Sequence, residues 1–236
     1  MDALILAGGL GTRLASVVRD RAKPVADVDG RPFLAYILAH VAKLKEVRRA
    51  ILCVGHLADS VESAFGPRFG RLALAYSREE RPLGTGGALR LAITRMGLRA
   101  PLLAMNGDTW FPVALDRLVG FHRTERPAAT LAVARVPDSA RFGAVRISGT
   151  RVDGFDEKGE AGPGWINGGI YILGTGALDR VKRAPAAFSL EREVLPALAQ
   201  AGRLAAYRSR SRFIDIGIPE DYARARRLLA PRGQDR

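Results

Sequence analysis

Ala3-Leu4-Ile5-Leu6-Ala7-Gly8-Gly9-Leu10-Gly11-Thr12-Arg13-Leu14, near the N-terminus, decides how the rest of the chain is read. Residues 3–7 form an unbroken apolar run of strand length, as expected of a strand covered on both faces in a parallel sheet. Gly8, Gly9 and Gly11 follow at once. Glycine tolerates positive φ and lets the backbone approach a bound group closely. Successive exposed N–H groups then form a concavity that suits an anion. Arg13 adds a permanent planar cation, and Lys23-Pro24 supplies a second cation on a stiff segment. The stretch fits neither Gly-x-Gly-x-x-Gly nor the Walker pattern, which ends in Gly-Lys-Ser/Thr. Together these features suit a triphosphate; taken alone, the glycines also fit an ordinary strand-to-helix turn.

Working outward, apolar runs of strand length at 50–54, 72–76 and 102–105 alternate with segments of helical period at 32–45, 57–65, 86–96 and 115–122. In the first of these helices Phe33, Leu34, Ile37, Leu38 and Val41 recur at helical spacing, and Pro32 suits a first-turn position. Such β–α alternation predicts a parallel sheet covered on both sides. Beyond about residue 127 the pattern changes. Strands are expected at 129–135, 144–147, 152–156 and 166–173, with Gly- and Pro-containing turns between the first three. Helices are expected at 177–183 and 190–201, short strands at 205–208 and 212–216, and a closing helix at 219–229, followed by a polar tail at 231–236. No linker, repeat or low-complexity stretch interrupts the chain. The expectation is one α/β domain over 1–236 whose two halves, about 1–126 and 127–230, share a mixed, mostly parallel Rossmann-like sheet with helices on both faces.

The 236 residues are 47% hydrophobic and 26% charged, enough to bury a sizeable core. The net charge of +13 suits either nucleic acid or the focusing of small anionic substrates. The arginines are scattered, with no Lys/Arg block of five and no finger, zipper or RNP-like signature, so no nucleic-acid partner is expected. Cys53 lies inside an apolar run and reads as a buried hydrophobe. A single cysteine excludes an intrachain disulfide and a Cys-based zinc site. No apolar run approaches the roughly 18 residues of a membrane span, and the chain opens Met1-Asp2-Ala3 without a secretory signal. The expectation is a soluble cytoplasmic protein with no membrane partner; a homodimer is left open.

Gly8-Gly9-x-Gly11-Thr12-Arg13-Leu14 followed by Lys23-Pro24 resembles the signature of the sugar-1-phosphate nucleotidyltransferases, and further motifs follow in family order along essentially the whole chain. The resemblance implies the nucleotidyltransferase fold and in-line attack of a sugar 1-phosphate on the α-phosphate of a nucleoside triphosphate. It makes 1–126 the nucleotide-binding half and 127–230 the sugar-phosphate-binding half. It places the nucleotide against Leu6, Ala7, Gly8, Gly9, Gly11, Thr12, Arg13 and Lys23. A base-reading loop would then comprise Glu79, Glu80, Pro82, Gly84, Thr85 and Gly86, with Asn106 and Gly107 beyond it. Gly84, Gly86 and Gly87 would let backbone approach a flat ring. Glu79 stands where uracil- or thymine-reading members often carry Gln. A carboxylate only accepts hydrogen bonds; guanine offers two adjacent donors, whereas uracil offers one between two carbonyls. A Glu therefore favours guanine; Glu79 and Glu80 both qualify, with Glu79 preferred.

Asp108, after the carboxyl end of a strand, and Asp215, in Phe213-Ile214-Asp215-Ile216-Gly217, resemble the family's metal-binding pair. Two carboxylates that share an ion with substrate phosphates suit Mg²⁺. Glu157 and Lys158 resemble the element that contacts sugar hydroxyls and the sugar phosphate, with Gly159 where the family usually has Pro. Asn167, Gly168 and Gly169 would lie under the sugar ring, with Gly143 and Asp108 also on the sugar side. The catalytic set implied is Arg13, Lys23, Asp108 and Lys158. No general base is required, because the attacking phosphate is already an anion. Lys23-Pro24, Pro82-Leu83-Gly84-Thr85-Gly86-Gly87 and residues 213–222 look closest to the D-glycero-D-manno-heptose-1-phosphate guanylyltransferases. The short stretch after Tyr222 leaves no room for the C-terminal β-helix of many relatives. Mannose-1-phosphate guanylyl transfer, uridylyl or thymidylyl transfer (as to muramate 1-phosphate), a non-catalytic NDP-sugar sensor and a basic nucleic-acid binder are the competing readings.

Overall fold

The computed structural model describes residues 1–9, 14, 22–156 and 162–229. β1 (Asp2–Leu6) is followed by a 3-10 turn at Lys23–Val25 and a small hairpin of β2 (Asp27–Val28) and β3 (Arg31–Pro32). α1 (Phe33–Lys43) buries the five apolar side chains that its spacing predicted. Then come β4 (Arg49–Val54), α2 (Ala58–Phe65), β5 (Arg68–Phe69), β6 (Leu72–Arg78) and α3 (Gly84–Arg95). β7 (Leu102–Asn106), β8 (Thr109–Trp110) and α4 (Leu115–Glu125) close the first half. The second half runs β9 (Ala129–Val136), β10 (Ala144–Ser148), β11 (Arg151–Asp156), β12 (Gly164–Leu173) and α5 (Thr175–Arg183). A π-helical turn at Leu190–Val194 leads into α6 (Leu195–Gln200), and β13 (Leu204–Ser209), β14 (Ile214–Asp215) and α7 (Pro219–Leu229) follow.

Among the described residues ten strands form one sheet in the order β10-β11-β13-β9-β12-β7-β1-β4-β6-β5. β1 runs parallel to both β4 and β7, which explains its apolar character on both faces. β12 is antiparallel to both β7 and β9, so it joins the two halves into one mixed sheet. Alternate residues face opposite sides. Ile5, Leu52, Leu103 and Ile172 belong to a core with α1, α2, α4 and α7, whereas Leu4, Ile51, Ala104 and Tyr171 belong to a core with α3, α5 and α6. In register, Leu6 lies beside Cys53 and Asn106, so the loops after β1, β4 and β7 open on the same edge. The carboxyl edge of parallel strands is where open α/β sheets bind ligands.

Four expectations need correction. The strand at 212–216 is extended only at Ile214–Asp215 and pairs with β8 outside the main sheet. The helix at 190–201 begins as a π turn. Pro32 is the residue before α1 rather than part of its first turn, and α3 starts at Gly84, two residues before the expected 86.

Candidate active site

Lys23 is held on the 3-10 turn, whose Pro24 and Val25 are buried. Asp108 lies two residues past the end of β7, and Asp215 arrives on β14. Pairing of Asp215 with Thr109, together with Ile216 N–H donating to the Asp108 carbonyl at 2.9 Å, sets the two carboxylates side by side. Lys23 Nζ lies 2.7 Å from Asp108 Oδ2 and 3.7 Å from Asp215 Oδ1. The Lys23 side chain is 11% exposed, against 37% and 27% for those of Asp108 and Asp215. One cation thus spans both acids, as their mutual repulsion demands. Gly217 N–H also donates to Asp215 Oδ1 at 2.7 Å.

Beside Asp108 lies a cavity of about 260 Å³. It is lined by Leu6, Gly8, Gly9, Asn106 and Asp108, from and beyond the ends of β1 and β7, and by Glu79, Pro82, Gly84, Thr85 and Ala88, from the segment between β6 and α3 and the start of α3. Of these, Ala88 was not anticipated; it stands one turn into α3 and carries no motif. Glu79 is half-buried with its Oε2 accepting from Leu83 N–H at 3.3 Å. A side chain at Gly8 or Gly55 would meet its Oε1, at 3.0 and 2.8 Å respectively, so these glycines make room for the carboxylate. Burial pushes the Glu79 carboxyl above the usual range, partly offset by the Leu83 hydrogen bond. Glu80 is exposed and lines a neighbouring depression instead. Ala7 and Gly107 are buried supports: Ala7 N–H donates to the Cys53 carbonyl and Gly107 N–H to the Leu6 carbonyl, both at 2.8 Å.

Gly86 and Gly87 do not line this cavity. Their N–H groups donate to the Phe188 carbonyl at 3.1 and 3.2 Å, and a Cβ on Gly86 would sit 2.1 Å from the Phe188 ring. The expectation that both open backbone to a base is therefore corrected: they admit the 186–188 segment, which clamps the start of α3.

A second cavity, of about 730 Å³, is lined by Phe142, Gly143, Ala144, Val145, Phe155, Asp156, Asn167, Glu191 and Arg192. Gly143 and Asn167 were expected there; Glu191 and Arg192 were not, because 190–201 reads as an ordinary amphipathic helix. Asn167 precedes a bulge in β12: it pairs with Val133 while Ile170 pairs with the adjacent Ala132. Gly168 packs against Phe111, and Gly169, at φ +69°, packs against Asn106. These two glycines thus serve packing behind the cavity rather than exposing its floor. Asn167 Nδ2 donates to the Tyr171 hydroxyl at 3.0 Å, and Asn167 Oδ1 accepts from Gly169 N–H at 2.8 Å. Gly11, Thr12, Arg13, Glu157 and Lys158 lie outside the described residues.

Residues 2–231 match the family described as nucleotidyl transferase. The chain is 38% identical to the D-glycero-alpha-D-manno-heptose 1-phosphate guanylyltransferase of Aneurinibacillus thermoaerophilus, over 97% of this chain and 98% of that one. It is 35% identical to the Campylobacter jejuni enzyme of the same name, over 94% and 97%. The crystal structure of HddC from Yersinia pseudotuberculosis superposes with a TM-score of 0.84 at 33% identity, covering 97% of this chain and 99% of that one. The same protein complexed with GMP-PN gives 0.83. With a glycine-walled cavity beside two carboxylates at the carboxyl edge of the sheet, and relatives matched along nearly their whole length, the chain belongs to the nucleotidyl transferase family.

Proposed function

We propose that the protein transfers a guanylyl group from GTP to D-glycero-α-D-manno-heptose 1-phosphate, giving GDP-heptose and pyrophosphate. The observation that carries this reading is the half-buried Glu79 carboxylate in the wall of the 260 Å³ cavity. An acceptor-only group there pairs with the adjacent N1–H and 2-amino donors of guanine and repels the carbonyls of uracil. The identity of the acceptor rests on the heptose 1-phosphate guanylyltransferases matched along nearly their full length.

In the proposed reaction a phosphate oxygen of the sugar 1-phosphate attacks the α-phosphorus. A P–O bond forms on the acceptor side, the bond to the β-phosphate bridging oxygen breaks, and pyrophosphate leaves. Catalysis is positioning plus charge stabilisation. In this reading Lys23 stabilises charge at the α-phosphate, Arg13 has the role of stabilising the β- and γ-phosphates and leaving pyrophosphate, and Lys158 that of aiming the acceptor phosphate. Asp108 and Asp215 would hold Mg²⁺: both already reach one cation, the Lys23 ammonium. Among the described residues no group of three or more His, Cys, Asp or Glu could hold an ion by itself, which fits an ion completed by substrate phosphates. When bound, Mg²⁺ supplies charge neutralisation at the phosphates. Work in the cytoplasm on capsule or related surface glycans completes the proposal; no helix among the described residues is long and apolar enough to cross a membrane.

The test crosses GTP, UTP, dTTP, CTP and ATP with heptose, mannose, glucose and muramate 1-phosphates and follows pyrophosphate release. GTP with the heptose is expected to give the highest kcat/KM; a preference for UTP would overturn the base assignment. Asp108→Asn is expected to abolish turnover while leaving the fold intact, as followed by circular dichroism.

A further inference from the structure

Glu191 sits in the π-helical turn Leu190–Val194, a distortion often found at functional sites. Its Oε2 accepts from the hydroxyls of Thr85 and, at 3.0 Å, Ser189; its Oε1 accepts from the Tyr171 hydroxyl at 3.2 Å. Thr85 borders the nucleotide cavity, whereas Glu191 and Asn167 border the larger one. Tyr171 is fully buried between them.

Two groups of fixed character set the direction of this chain of bonds: the Glu191 carboxylate cannot donate, and at the far end the Gly169 N–H cannot accept. Tyr171 has a single hydroxyl proton, and it goes to Glu191. The Tyr171 oxygen must therefore accept, and Asn167 Nδ2 donates to it. Asn167 Oδ1 is then turned toward Gly169 N–H. The amide is left with one N–H and one lone pair of defined sense to offer a sugar hydroxyl. We propose that Glu191 is a positioning residue for the acceptor: through Tyr171 it fixes, together with the Gly169 N–H, which way the Asn167 amide faces, and through Thr85 it ties that amide to the helix flanking the nucleotide. This rests on the reading that the 730 Å³ cavity receives the sugar 1-phosphate.

Glu191→Gln is the informative change. The glutamine oxygen still accepts from Thr85 and Ser189, while its amide NH2 faces Tyr171. Tyr171 can then accept from residue 191 and turn its proton toward Asn167, and only the Gly169 N–H is left to hold the sense of the amide. Tyr171→Phe cuts the same chain with little change in packing. Both variants, and the double variant, are assayed with each substrate varied separately and with thermal melting in parallel. The KM for sugar 1-phosphate is expected to rise about tenfold in each single variant and the KM for nucleotide to stay within about twofold. The double variant is expected to be no worse than the poorer single one, since both break one chain. An unchanged sugar KM in folded Tyr171→Phe, or both KM values rising together with a lowered melting temperature, overturns the proposal. If Glu191→Gln does not fold, Tyr171→Phe decides. The assay uses whichever pair the wild type turns over fastest, so a nucleotide other than GTP refutes the base assignment and leaves this comparison intact. A wild type inactive with every pair refutes the proposed function itself.

Discussion

At residue scale, two adjacent glutamates illustrate what a fold adds to a sequence. Glu79 and Glu80 offer the same chemistry, and no spacing rule separates them. β6 ends at Arg78, and Glu79 N–H still donates to the Val54 carbonyl at 2.9 Å. That anchor turns Glu79 into the cavity, while Glu80 remains exposed. Glu79→Gln replaces one acceptor oxygen with a donor, so the GTP-over-UTP ratio of kcat/KM is expected to fall about 10–100-fold. The same residue sets a pH dependence. Burial raises its carboxyl pKa in the free protein, and guanine donors favour the charged form. GTP binding is therefore full above the raised pKa and weakens as pH falls through it. A titration of GTP affinity against pH checks this, and Glu79→Gln should flatten the curve. Gly8 was legible as part of a phosphate-type loop, but its second task, giving room to Glu79, depends on a contact that only the sheet creates.

At element scale, the long periodic pieces were readable and the short ones were not. β1, β4, β7 and α1 match their expected spans within about two residues, because each buries a repeating face. β8 and β14 are two residues each, too short for any period, and yet their pairing sets Asp215 against Asp108. The two aspartates could be named from motif; how they meet could not. Gly86 and Gly87 were misassigned for a related reason: their partner, Phe188, lies about a hundred residues away and carries no motif. Alanine at position 86 would gain up to about 1 kcal/mol from helix propensity. Its Cβ would also collide with the Phe188 ring, and overpacking costs about 1–3 kcal/mol. Gly86→Ala is therefore expected to destabilise the protein in denaturant titration; a stabilised variant would mean that the 186–188 clamp yields freely.

At the scale of the whole molecule, the fold class followed from the β–α alternation of the first half, but β12's antiparallel seam could not be read from its apolar run alone. The excess of positive charge also finds a place. Arg135, Arg141, Arg210, Arg212 and Arg224 line a cavity of about 560 Å³ that reaches Asp215, with Asp221 paired to Arg141 and Arg224. Such a field favours small polyanions at the active edge. Global stability should depend on pH through His40 and His122. Burial lowers both pKa values from the ordinary 6.5, with Lys43 and Arg123 acting in the same direction. The unfolded chain then binds more protons than the folded one between the depressed and ordinary values. Stability is full above about pH 6.5 and is lost as pH falls from there toward the depressed values. Melting temperatures at about pH 7.5 and 5.5 measure the loss, and His122→Gln should reduce it.

The bridge from Lys23 to Asp108 spans 85 residues, and the third member of that group comes from the other half of the chain. A growing polypeptide can therefore emerge, form its first parallel strands and still lack a working centre until β14 docks on β8. On the proposed roles of these residues, translation that stops before β14 is expected to yield inert fragments rather than feeble enzymes.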